Sequence, residues 1–139
     1  MKKICCFVTA LTLLITVGLI TTPSPVSAEE GGTFTVARLV VCKNVVKLEP
    51  ELGSEEKFPL SLGKIYCFLE ARKISADTQI KFVWIHEGVT KAKIPLTLRK
   101  GWRWRTYSSK KLGNLSGNWT VEIHDQNDMI VDSINFLVE

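Results

Sequence analysis

The chain has 139 residues and a formal net charge of +4, and two of its 18 basic side chains, Lys2 and Lys3, belong to a leader. The remainder carries 16 basic against 14 acidic side chains, so the mature protein is not globally basic and nucleic acid is not its expected partner. About 110 residues bury one usable, modest core, which sets the count at one mature domain.

Met1-Lys2-Lys3 is a cationic n-region, Ile4 to Ile20 is almost wholly apolar, and Val26-Ser27-Ala28 is a small-residue cleavage pattern. Residues 1–28 therefore read as a secretory signal peptide, followed by a polar lead-in over 29–32 and a single domain from 33 to 139. The apolar run is 17 residues long. About 20 residues span a bilayer comfortably, so the expectation is cleavage, with an uncleaved membrane tether as the alternative. Two cysteines survive cleavage, Cys42 and Cys67. Both lie in apolar strand-like runs, and export favours oxidation, so a disulfide between the first two strands is expected. Two buried free thiols are the alternative. No Cys-x-x-Cys spacing supports a redox-active pair.

Period-2 alternation organises the mature chain. Thr33 to Cys42 is rich in Val, Leu and Thr and reads as a strand. Asn44 to Leu62, with Pro50, Gly53 and Pro59, reads as a surface loop with short ordered pieces. Lys64 to Arg72 alternates, with Ile65, Cys67, Leu69 and Ala71 on one side. Gln79 to His86 is apolar on both parities, which places it centrally in a sheet. Glu87-Gly88 makes a turn into Lys91 to Arg99, where Pro95 marks an open edge.

Arg99-Lys100-Gly101 suits a three-residue hairpin loop into Trp102-Arg103-Trp104-Arg105. In that hairpin Leu98 faces Trp102 and Leu96 faces Trp104 on the buried side, while Thr97 faces Arg103 and Lys93 faces Tyr107 outside. Trp119, Val121 and Ile123 alternate in the next strand, Asp125 to Asp128 turn, and Met129 to Val138 closes the domain. About seven short strands with regularly spaced turns predict an all-β, immunoglobulin or fibronectin-III-like antiparallel sandwich, with a small barrel as the alternative.

The second half carries Trp84 to Gly88, Ile94-Pro95-Leu96, Trp104 to Lys110, Gly117 to Asp125 and Phe136-Leu137-Val138. In this order the pieces resemble an exported bacterial domain family of unknown function, with the signature Trp-x-x-x-Gly, Trp-Arg-Thr-aromatic-Ser-Ser-Lys and Gly-x-Trp-x-Val. The likeness covers roughly residues 80 to 139 and departs at Asp128, where the family pattern has Gly. It implies an exported β domain and brings no activity with it; the location expected for the exported chain is the periplasm.

No catalytic constellation stands out, and no cofactor is implied. His86 and His124 have no second ligand at metal spacing, so no metal site is expected. Asp125, Asn127 and Asp128 lack the Gly and distal Glu of a calcium loop and suit a turn. Ser108 or Ser109 with His124 and Asp125 could be imagined as a triad, but no Gly-x-Ser-x-Gly elbow is present. Trp84 and Trp119 read as core, and so do Trp102 and Trp104.

Burying Trp102 and Trp104 leaves Arg103, Arg105 and Tyr107 on the outer face, extended by Lys91, Lys93 and Arg99. From Lys64 to Lys111 there are twelve basic and three acidic residues, while the stretch after Leu112 has five acids and no Lys or Arg. The function expected is a non-catalytic binding domain of the bacterial envelope with a protein partner. The alternative is a module that binds an anionic polymer or glycan through those six residues.

Overall fold

The structure, a computed structural model, describes residues 33–51 and 56–139. The expected signal peptide lies outside them. Alternating side chains build the strands β1 (Thr35–Cys42), β2 (Asn44–Val46), β3 (Glu49–Glu51), β4 (Lys57–Phe58), β5 (Lys64–Ile74), β6 (Thr78–His86), β7 (Val89–Leu98), β8 (Gly101–Lys111), β9 (Gly117–His124) and β10 (Ile130–Val138), with one 3-10 turn at Leu60–Leu62.

A three-stranded sheet, β1-β5-β8, and a five-stranded sheet, β4-β10-β9-β6-β7, enclose the core, and β2-β3 forms a separate hairpin. Every pairing is antiparallel except β4 with β10. The chain is thus all-β and a sandwich. Among the described residues both large sheets end in unpaired edges, so the barrel alternative does not hold.

The expected parities fill the core. Ile65, Cys67, Leu69 and Ala71 point inward from β5, against Trp84 of β6, Trp119 of β9 and Phe136 of β10. Trp119 and Phe136 stack at 6.2 Å, and Phe58 meets Phe136 edge-on at 5.8 Å. The Trp84 indole N–H donates to Ser108 Oγ at 3.0 Å and ties the two sheets through the only kind of contact a buried indole nitrogen can make. β6 lies between β9 and β7, and β7, which carries Pro95, is an edge strand. The β6–β7 turn uses Glu87 and Gly88, both at positive φ, as a two-residue hairpin turn requires. Asp128, where the resembling family has Gly, sits at φ 61, a conformation that Asp tolerates through its short polar side chain.

Three expectations are corrected. First, β7 and β8 do not form a hairpin: β8 pairs with β5, and the Arg99-Lys100 link crosses from one sheet to the other. Asp77 holds the crossing, accepting the Lys100 N–H at 2.8 Å and the Arg99 guanidinium at 3.1 Å. Leu98 consequently pairs with Thr78 rather than Trp102.

Second, Trp102 and Trp104 are 66% and 37% exposed. Trp104 lies across from buried Ala71 and so has the inward parity, but β8 is an edge strand and leaves its side chains an open flank. Third, Cys42 and Cys67 are free and buried. Cys42 pairs in register with Tyr66, and Cys67 with Val41, so the two thiols lie on opposite faces of the sheet and cannot bridge.

Candidate functional site

The outer face of β1-β5-β8 holds the densest set of charged contacts. Directly opposed residues in an antiparallel sheet share a face, so Arg38, Glu70 and Arg105 form one row across the three strands, and Arg72 faces Arg103 in the next. Glu70 has 1% of its side chain exposed. Its Oε1 accepts from Arg72 at 2.8 Å and its Oε2 from Arg103 at 2.8 Å, which sets one negative charge between two like charges placed face to face.

Arg38 and Arg105, the in-row neighbours of Glu70, turn to Glu49 on β3, while Arg38 Nε also lies 3.9 Å from Glu70 Oε2. Arg38 Nη2 donates to Glu49 Oε2 at 2.9 Å, and Arg105 Nη1 donates to Glu49 Oε1. Arg103 Nη2 also lies 3.8 Å from Glu49. Beneath them the Arg38 guanidinium sits 4.9 Å from the centre of the buried Phe68 ring. The Arg103 guanidinium, with Arg72 after it, holds the Glu70 carboxyl below the ordinary Glu range despite burial, which pushes the other way. Arg38 and Arg105 do the same for Glu49.

β2-β3 lies over this face and covers Cys42, whose pKa is raised by burial. Lys47 and Leu48 form its two-residue turn, both at positive φ. Val46 and Leu48 are exposed there.

The six residues expected to form one basic surface are therefore divided. Lys91, Lys93 and Arg99 belong to β7 and the link after it, on the five-stranded sheet, and Lys93 sits opposite Val83. Arg103, Arg105 and Tyr107 belong to the three-stranded sheet, where the two arginines are in ion pairs and Tyr107 packs at 5.9 Å from Tyr66. The six therefore do not share one sheet face. Arg38, Glu49, Glu70 and Arg72 escaped the sequence reading. The same-parity Glu70-x-Arg72 spacing was a signal, but nothing local brings Glu49 over β5.

Reactive side chains stay apart. Ser108 is buried and accepts from Trp84 on the inner face. His124 bonds Glu122 at 2.7 Å on the far sheet, and His86 donates to the Ser116 carbonyl at 2.7 Å. Asp125 Oδ1 accepts the N–H groups of Asn127 and Met129 at 2.8 and 3.0 Å, which is turn chemistry. Among the described residues no three His, Cys, Asp or Glu side chains converge as metal ligands. None of their helices is long and apolar enough to cross a membrane. An open depression of about 560 Å³, lined by Glu56, Asn118, Thr120, Asn135 and Leu137 among others, holds one hydrogen bond between its polar side chains, from Thr120 to Asn135 at 2.8 Å.

No curated protein matches the chain. Residues 77–138, the stretch that carries β6 to β10 and falls over the same half as the motif resemblance, match the family described as a protein of unknown function (DUF2914).

Proposed function

We propose that the chain is a non-catalytic, exported interaction domain of the bacterial envelope that meets a partner protein along β8. The observation that supports this reading is Trp102, 66% exposed on an 11-residue edge strand. Trp and Tyr carry much of the energy of protein interfaces because they bring large contact area at low entropic cost. An open strand edge adds main-chain donors and acceptors for an extended segment. Trp104 and Tyr107, 37% and 42% exposed, continue the aromatic character along the strand. The leader and the motif resemblance support export.

The test places a benzophenone amino acid at position 107 and crosslinks the protein in envelope extract at low and high salt. One discrete protein adduct that persists at high salt is expected, and it is lost when Trp102→Ser and Trp104→Ser are added without change in the unfolding midpoint. No adduct at either salt concentration, with the same label at Gln79 as control, removes the reading.

A further inference from the structure

Four guanidiniums share two carboxylates on the outer face of β1-β5-β8. The two carboxylates differ in kind. Glu70 belongs to the central strand and is buried, whereas the Glu49 side chain is 46% exposed and is carried by a separate hairpin. β2 and β3 have three residues each, and a two-stranded hairpin of that size has little stability of its own. Its turn adds strain, because Lys47 and Leu48 occupy the left-handed region with φ of 50° and 55° where Asn-Gly is the favoured pair. The hairpin therefore leans on its contacts with the sheet, the ion pairs of Glu49 among them.

Arg38 comes from β1 and Arg103 and Arg105 from β8, so the receptor for Glu49 spans the sheet on strands that β5 holds rigidly apart. That is a preorganised fork set for a carboxylate. Its resident is a Glu on an extended Glu49-Pro50-Glu51 segment, and a ligand of the same chemistry is an acidic segment of a polypeptide in extended form.

We propose that Arg38, Arg103 and Arg105 form a docking site for an acidic, extended peptide segment, and that Glu49 occupies it in the free protein as an internal competitor. An incoming carboxylate displaces Glu49, and β2-β3 leaves the sheet. The internal occupant lowers the apparent affinity by the fraction of molecules in which the site is filled. Arg103 and Arg105 share β8 with Trp104 but lie on the opposite parity, and the proposal does not rest on the aromatic edge being an interface.

The probe is a labelled synthetic peptide with the sequence of residues 44–51, titrated into the full chain. Glu49→Gln should bind it about tenfold more tightly than the unsubstituted protein. Binding should weaken with salt, vanish when Arg105→Ala is added to Glu49→Gln, and be absent for the same peptide with both Glu replaced by Gln. Equal affinity of the two proteins, or equal binding of the uncharged peptide, overturns the proposal. Inorganic phosphate competing as well as the peptide overturns it in favour of a general anion site. A measurement on the unsubstituted protein guards against a misfolded variant: saturating peptide should accelerate amide exchange across Asn44–Glu51, and unchanged exchange also overturns the proposal.

Discussion

Glu70 is a carboxylate removed from water and held by Arg72 and Arg103, and the consequences of losing it differ from those of losing either arginine. Glu70→Ala removes the carboxylate between two facing, half-exposed guanidiniums and should cost about 1–3 kcal/mol in denaturant unfolding. Arg72→Ala removes a half-exposed partner and should cost less than about 1 kcal/mol. The folded-state pKa values of Glu70 and Glu49 lie below the ordinary range because of their arginines. The unfolded chain therefore binds more protons as the pH enters that range. Stability from these groups is complete above about pH 5 and is lost as pH falls through the depressed folded values. Urea unfolding followed from pH 7 to pH 3 should show an acid decline that is shallower in Glu70→Gln. Ser108→Ala strands the buried Trp84 N–H and should cost about 1–3 kcal/mol by the same assay.

Turns set how well the elements hold together. Gly117 opens β9 at φ 112, and a Cβ there would strike the Glu87 carboxylate, which accepts the Asn118 N–H at 2.7 Å. Gly117→Ala should lower stability by about 1–3 kcal/mol, seen as a lower unfolding midpoint. The opposite holds in β2-β3, where replacing Lys47 by Asn and Leu48 by Gly relieves two strained residues. That double change should slow amide exchange across Asn44–Glu51 by an amount equivalent to about 1 kcal/mol or more. The period-2 pattern located the long strands of both sheets within a few residues, because side-chain alternation is a local property of each segment. β2 and β3 carry no such pattern over three residues each, and that is why the hairpin carrying Glu49 read as loop with short ordered pieces and not as a pair of strands.

At the scale of the molecule, packing and the Trp84–Ser108 hydrogen bond join the two sheets, and among the described residues no disulfide does. Burial raises the pKa of both Cys42 and Cys67. Peptide mapping after alkylation should find these two thiols unmodified in the native protein and alkylated after denaturation without reductant. A reductant should leave the unfolding midpoint unchanged.

Much of the architecture is written along the chain. The all-β class, the inward row Ile65, Cys67, Leu69 and Ala71, the core positions of Trp84 and Trp119, the central place of β6 and the open edge at Pro95 all follow from residue type and alternation. The acidic and basic side chains of the candidate site were visible too, though not as partners. Only the tertiary structure decided that β8 leaves β7 for β5, that Trp102 and Trp104 face an open flank, and that Glu49 reaches Arg38 and Arg105. Alternation tells which side chains share a face of one strand. Which strand lies beside it depends on contacts distant in sequence, and at β8 the link held by Asp77 takes the chain to the other sheet.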